Sequence, residues 1–459
     1  MRLKTLRALL IIVSTLPFAL VGLLVAQLIS GKRVSKHARR DLLSRASVLI
    51  TGGRMTKALH LARSFRALGW RVVLTDSVKY EYCGPRFSGA VDTFRIHQDL
   101  SKVGEIAYLN SLNQIIIQEN IDLVVPVSSP KSSLPDAKLQ SIVDAEIQKG
   151  TKQKATVVFH GTPEQISTVD DKFTFCEKAS ELGLPAPNVF RITSYAEVEQ
   201  FALANYPGQP FIFKSINYNP TARLDNNVFG SGDKEELLAY ARSVEISNKK
   251  PWVLQTYIEG QEYCTHGTAV NGKLTLFCCC ESSAFQVNYA HVHKPAIEQW
   301  VTTYVAKAGL TGQYSFDFIE DRQGNIFPIE CNPRTHSAIT TFYNTTKLAE
   351  SYLANEDVPE RNTSETFNSI VPEPEAKPTY WLAHELHRIA EPLPGETPIH
   401  ALKRIWNGKE AVYEPFDPKP FFMLHYVHIP YLLLNALLRG NKWKRIDFNI
   451  GKIVEVGGD

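Results

Sequence analysis

Apolar and polar positions change period several times along this chain, and each change marks an element. Residues 8–29, ALLIIVSTLPFALVGLLVAQLI, carry no charge over 22 positions. At about 1.5 Å per residue they predict a hydrophobic helix about 33 Å long, enough to cross the hydrocarbon core of a bilayer. Arg2, Lys4 and Arg7 precede it, and Lys32, Arg33, Lys36, Arg39 and Arg40 follow. The heavier basic flank predicts a body on the cytoplasmic side, anchored to the membrane by residues 8–29. Pro17 leaves a kinked re-entrant hairpin open beside a span. Residues 46–51 (ASVLIT) then form a continuous apolar run leading into Gly52-Gly53, residues 54–68 follow helical spacing to Gly69, and residues 71–75 read as a second strand. This strand–glycine–helix–strand unit is Rossmann-like, although GGR lacks the spacing of a dinucleotide fingerprint. Residues 122–127 (DLVVPV) add a parallel-type strand with Ser128 and Ser129 at its C-terminal end.

Further along, Asp171-Lys172 opens a helical pattern that stops at Gly183, with prolines beyond. Residues 211–214 (FIFK) place a lysine at the end of an apolar strand. Residues 252–262 (WVLQTYIEGQE) are another apolar strand running into a glycine turn and an acid. Residues 311–340 read as two strands joined by a turn at residues 321–325. A last apolar patch, residues 421–438, is interrupted by His425, His428 and Pro430 and followed by Lys442, Trp443, Lys444 and Arg445. It predicts a buried or interfacial helix with a basic edge.

A chain of 459 residues exceeds one core and implies several domains. The expected divisions are a membrane helix and basic linker (1–45), a Rossmann-like domain (46–164), a two-lobed α+β body (165–257 and 258–354) and a C-terminal region (355–459) that begins with a polar, proline-bearing stretch. The net charge of +3 hides an asymmetry: residues 1–45 carry nine Lys/Arg and one Asp, so the remainder is at −5. A mildly acidic body argues against nucleic-acid binding. Seven cysteines, an odd number, argue against a disulfide framework and for a reducing compartment. Cys278-Cys279-Cys280 alternate faces on a strand, so packed thiols are expected there rather than a zinc site.

Candidate chemistry concentrates in the hairpin. Strand alternation projects Glu330 and Asn332 to one side, with Asp317 on the facing strand. Two carboxylates and an amide oxygen are hard ligands, the set Mg²⁺ favours when it also holds substrate phosphates. Arg334, at the strand exit, offers a planar fork for a phosphoryl group. Lys172 and Lys214 upstream supply point charges for phosphates, and Glu262 an acid for a ribose.

That order of residues resembles the ATP-grasp superfamily, ligases that activate an oxyanion with ATP and pass it to an amine. Within it, the runs ITGGRMTKALHLARSF, DLVVPVSSP, DDKFTF, SSAFQVNY, IECNPRTHSAIT, KPTYW and IDFNIGK resemble the mycosporine-glycine synthases of mycosporine-like amino acid biosynthesis. The resemblance implies an ATP-grasp fold behind a Rossmann-like domain, with ATP and Mg²⁺ (or Mn²⁺) as cofactors. It implies Lys172 and Lys214 on phosphates, Gln255, Thr256, Tyr257 and Ile258 as the inter-lobe linker meeting adenine, and Glu262 on ribose. Asp317, Glu330 and Asn332 would hold metal, and Arg334 would stabilise the reacting phosphate. The implied substrates are 4-deoxygadusol, a cyclohexenone that behaves as a vinylogous carboxylic acid, and glycine or another amino acid. Ser282, Ser283, Gln286, Asn288 and Ser337 are polar candidates for holding them. His336 reads equally as a general base for the amine and as a cap of the following helix. The glycine-rich flap of many ATP-grasp proteins is replaced by residues 217–233, with Arg223 as a weak substitute phosphate contact and the stretch a candidate lid. Superfamily members are often dimers. A ligase acting on another small acid and a non-catalytic nucleotide binder are the alternative readings.

Overall fold

The first apolar run folds as β1 (Ser47–Ile50), buried at every position. Strands are numbered along the chain. β1 pairs in parallel with β2 (Arg71–Ser77) and β4 (Leu123–Val125), and β3 (Thr93–His97) and β5 (Val157–Val158) close the sheet in the order β3-β2-β1-β4-β5. Parallel neighbours require crossovers, and the helices Thr56–Ala67 and Leu100–Gln118 provide two of them. The turn after β1 needs its glycine: Gly52 has φ +61°, and a Cβ there would lie 2.5 Å from the Val127 carbonyl oxygen. This computed structural model describes residues 2–30, 46–150, 155–204, 209–217, 227–230, 232–283, 287–353 and 369–455.

Two antiparallel four-stranded sheets follow. The first contains β6 (Val189–Ile192), β7 (Phe211–Ser215), β8 (Val228–Phe229) and β9 (Trp252–Thr256) in the order β6-β9-β7-β8. The second contains β10 (Gly260–Val270), β11 (Lys273–Glu281), β13 (Gly312–Asp321) and β14 (Ile326–Asn332) in the order β11-β10-β13-β14. In β13 the period-2 pattern divides the faces. Tyr314, Phe316 and Phe318 pack with Trp300 and Tyr304 of the helix Pro295–Lys307, whose rings stack at 5.1 Å. Ser315 and Asp317 point the other way, toward the parallel sheet and the site described below. The three consecutive cysteines obey the same alternation: Cys279 joins the aromatic core, while Cys278 and Cys280 join the core shared with β1. All seven cysteines are free and buried.

The C-terminal residues add β15 (Thr379–Tyr380) and β16 (Lys409–Glu410) to β12 (Asn288–Tyr289) in a small sheet, and build β17 (Trp443–Asp447) and β18 (Lys452–Glu455) into a ribbon. Glu385, fully buried, accepts hydrogen bonds from Arg388 at 2.9 Å, Arg404 at 2.7 Å and Asn288 at 2.9 Å. The apolar patch at residues 421–438 lies within a helix, Lys419–Arg439, that includes a π turn at Leu424–His428 and is partly buried. The N-terminal apolar stretch is a helix, Arg2–Ser30.

Candidate active site

The hairpin register brings the acids together. Asp317 lies directly across from Glu330, and Ser315 across from Asn332. The Asn332 side-chain amide donates to Asp317 Oδ2 at 3.3 Å and to Glu330 Oε1 at 3.2 Å, so all three share one face of the sheet. Asp317 Oδ1 is buried with no hydrogen-bond partner. An orphaned carboxylate oxygen beside a second carboxylate offers hard oxygen ligands suited to a divalent cation that also holds phosphates, while the Asn332 amide turns its nitrogen toward both acids and its oxygen toward Arg334. Burial first, then the neighbouring Glu330 and Glu262 carboxylates, push Asp317 well above the usual carboxylate range. Glu330 moves the opposite way because Lys172, and behind it Lys214, favour its charged form.

Local structure explains the lysines. Asp171 caps the helix Lys172–Glu181 by accepting from the Phe173 and Thr174 amides at 2.8 and 3.2 Å. That cap holds Lys172 at the first helical position, where its Nζ lies 3.1 Å from Glu330 Oε2. Lys214 emerges from β7 and donates to Gln255 Oε1 at 3.5 Å. Burial lowers its pKa, with Glu330 acting against that shift. Arg334 engages Asn332 Oδ1 and lies 3.7 Å from Asp170. Two lysines, one arginine, three acids and an amide therefore converge where the helix Lys172–Glu181, β7 and the β13–β14 hairpin meet. Glu262 lies at the exposed start of β10, opposite Ile319.

The expected linker divides between strand and connection. Gln255 and Thr256 belong to β9, and Tyr257 and Ile258 lie between β9 and β10. Gln255 is buried, and its amide also donates to the Ile329 carbonyl at 3.1 Å, riveting one sheet to the other. The Thr256 and Tyr257 amides already donate to Asn188 and Pro210 carbonyls, both at 2.9 Å. Neither backbone amide is therefore free for the edge of a base, whereas the Thr256 hydroxyl is buried without a partner. A cavity of about 490 Å³ opens beside this connection, lined by Thr256, Tyr257, Ile258, Pro187, Pro210 and Phe327 among others. Its lining excludes the charged cluster, so it adjoins the phosphate-type site rather than being it.

Most of the remaining candidates are held in place by other contacts, while the Ser282 hydroxyl is buried without a hydrogen-bond partner. His336 caps the 3₁₀ helix Ser337–Phe342, its Nδ1 accepting from the Ala338 amide at 3.2 Å. Burial, then Lys57 and Arg334, lower its pKa to about 3. The proton of this neutral ring therefore sits on Nε2, which can donate to a ligand but not take a proton from one. Ser337 donates to Asn449 Oδ1 at 2.8 Å. Asn288 is committed to Glu385 and Arg388 of the C-terminal region. Ser283 Oγ bonds the Asn288 backbone, and the Ser282 amide donates to the Glu262 carbonyl at 3.0 Å. Gln286 and Arg223 lie outside the described residues.

Sequence reasoning missed a second group behind the hairpin. Lys57, on the helix after the Gly52-Gly53 turn and 7% exposed, donates to the Thr335 carbonyl. Burial, then Arg334 and Arg54, pull its pKa down to about 7. Buried His266 accepts from the His336 amide at 3.3 Å, and Gln313 donates to the Pro126 carbonyl at 2.9 Å while accepting from Tyr352 at 2.8 Å. A polar track thus joins the acids to the loops of the parallel sheet. Its only sequence signal was an unexplained lysine on an otherwise buried helix.

This arrangement of a Rossmann-like sheet followed by two antiparallel lobes gripping a charged cleft is the ATP-grasp fold. The chain is similar in structure to N5-carboxyaminoimidazole synthetase from Staphylococcus aureus complexed with ADP, with a TM-score of 0.50, 18% identity, and 73% of this chain and 81% of that one covered. It is similar also to the biotin carboxylase domain of Hydrogenobacter thermophilus 2-oxoglutarate carboxylase bound to MgADP, ADP and bicarbonate, with a TM-score of 0.51, 14% identity, and 68% and 70% covered. In sequence it is 28% identical over 203 residues to the multifunctional protein URA2 of Saccharomyces cerevisiae, and 23% identical over 296 residues to the arginine-specific carbamoyl phosphate synthase large chain of Eremothecium gossypii. Those matches cover 40% and 56% of this chain but only 9% and 25% of the relatives. No family model matches the chain.

Proposed function

We propose that this protein is an ATP-dependent carbon–nitrogen ligase of the ATP-grasp type. The observation that carries the reading is the cross-strand pair Asp317–Glu330, bridged by Asn332 and faced by Lys172, with Lys214 and Arg334 beside it. In this reading Lys172, Lys214 and Arg334 hold the triphosphate, Glu262 the ribose, and the 255–258 connection the base. Asp317, Glu330 and Asn332 would hold Mg²⁺ or Mn²⁺, which would supply charge neutralisation at the transferred phosphoryl group. Folding the lobes over the substrates excludes water from the activated intermediate.

The runs shared with mycosporine-glycine synthases support a specific pair of substrates, 4-deoxygadusol and glycine. Phosphorylation of the conjugated enol oxygen makes a leaving group. The glycine amine adds at the conjugated carbon, phosphate departs, and an enaminone remains. Holding ring and amine in attack geometry contributes roughly 7–11 kcal/mol in well-oriented systems. The ring and the glycine carboxylate would lie over the polar track that runs from Ser315 and His266 toward Lys57, with Ser282, Ser283 and Ser337 along its margins. His336 Nε2–H offers a donor to a substrate oxygen, and neutral Lys57 a base for the incoming ammonium. The sequence likeness to a carbamoyl phosphate synthase favours a second reading, a carboxylate–amine ligase on another small acid.

The test is acceptor-dependent ADP release with ATP, Mg²⁺, glycine and the enolic cyclohexenone, read together with the ultraviolet band of the enaminone. ADP with the new band supports the first reading. ADP released only with other carboxylates moves the assignment to the second. ATP binding without turnover on any acceptor refutes the ligase reading.

A further inference from the structure

The N-terminal helix is apolar on every side, yet it does not stand free of the body. Thr5 is 1% exposed and accepts from Trp443 Nε1 at 3.0 Å. Lys4 donates to the Lys444 carbonyl at 2.6 Å and sits 4.3 Å from the centre of the Trp443 ring. Ala8, Leu9 and Ile12 pack on the core shared with β1, and Tyr426 donates to Thr15 at 3.4 Å. The helix touches each of the three segments of Lys419–Arg439, running antiparallel to it. That partner helix is itself fastened to the Rossmann-like sheet. Tyr82 packs edge-on against Tyr431 at 5.4 Å, Tyr80 packs against His428 at 6.0 Å, and a Cβ on Gly84 would lie 2.5 Å from the Pro420 carbonyl oxygen.

A helix laid along a body-bound helix cannot also cross a bilayer. Spanning about 30 Å of hydrocarbon would drag the Rossmann-like sheet, with its buried polar groups, into the lipid. Yet the outward side of the helix is as apolar as a spanning segment: Phe18 is 81% exposed and Leu28 79%, with Val21 and Leu24 exposed between them and Leu10 before them. Leu434 and Leu438 of the neighbouring helix extend the same apolar character. Exposed cations, Arg7, Arg439, Lys442 and Lys444, gather at one end of the pair. An apolar face with cations gathered at one end matches a leaflet with anionic headgroups, and the cations disfavour a second copy of the same surface.

We propose that the protein is monotopic: the helix Arg2–Ser30 lies in the plane of one anionic leaflet, beside Leu434 and Leu438, and both of its ends stay on the side of the catalytic body. This is a statement about the surface and holds whatever reaction the cleft performs.

The test uses the full chain bound to vesicles of phosphatidylcholine with phosphatidylglycerol, compared with phosphatidylcholine alone. Because all seven native cysteines are buried, single introduced thiols at Leu3→Cys and Ser30→Cys report topology through a membrane-impermeant maleimide. Both positions are expected to label from the body's side, with stronger flotation on the anionic vesicles. The double variant L434E/L438E, at two exposed positions, is expected to weaken vesicle partition by about tenfold or more while leaving ATP binding unchanged. Labelling of the two ends from opposite sides would overturn the proposal in favour of a span. A chain recovered from cells without residues 2–30, or a soluble oligomer that never floats, would overturn it as well.

Discussion

Replacing Lys57 with methionine isolates the least expected charge in the molecule. The ammonium is buried between Arg334 and Arg54, and its pKa falls from 10.5 to about 7. At about 1.4 kcal/mol per pH unit, that drop amounts to roughly 5 kcal/mol against the charged form in the folded state, as an order of magnitude. The sign follows from proton counting. Between pH 7 and 10.5 the unfolded chain holds the Lys57 proton and the folded chain does not, so folding stability rises with pH across that window. Below pH 7 both states are protonated and the full penalty stands. Lys57→Met removes the penalty and also the hydrogen bond to the Thr335 carbonyl, whose loss costs about 1–3 kcal/mol at any pH. Urea unfolding at pH 7 and pH 9 should therefore show the native protein gaining about 2 kcal/mol more than the variant over those two pH units. The variant should match or exceed the native protein in stability below pH 7. In the ligase assay, its turnover should fall by about a hundredfold or more if the neutral amine takes a proton from the attacking ammonium. Equal pH dependence of stability in the two proteins would refute the buried-cation reasoning, and unchanged turnover would refute the catalytic part alone.

Glu330→Gln should abolish ADP release while calorimetry still detects nucleotide, because the two lysines remain; product formation at the native rate would overturn the metal assignment. Glu385→Ala leaves Arg388 and Arg404 facing an empty buried site, and loss of one partner from such a network costs about 3–5 kcal/mol. A thermal midpoint within two degrees of native would show that the network contributes little. Gly52→Ala forces a Cβ against the Val127 oxygen at positive φ, an expected loss of about 1–3 kcal/mol seen in the melting curve.

Several features of the fold followed directly from pattern. The continuous apolar run at residues 46–51 became a central parallel strand because a strand covered on both faces has no polar side to show. The alternation in residues 312–321 set Asp317 and Ser315 opposite to Tyr314, Phe316 and Phe318, since side chains on a strand have a period of two. That period alone brought Glu330 and Asn332 to one side, and hydrogen bonds from the Asn332 amide to Glu330 and Asp317 show them there. The two lysines could be named from their places at a helix start and a strand end.

Tertiary structure decided the rest, for reasons of distance along the chain. Lys57 meets Thr335 across 278 positions, and Asn449 meets Ser337 across 112. No local period encodes such contacts. Asn288 read as a ligand group until the C-terminal region placed Glu385 and Arg388 against it. His336 carried two meanings in sequence, and burial with a hydrogen bond from Ala338 selected the cap. The apolar helix at the N-terminus has the length and composition of a span. Its contacts with Trp443 and Tyr426 are what lay it along the body, because hydropathy measures how a segment partitions and says nothing about what it packs against.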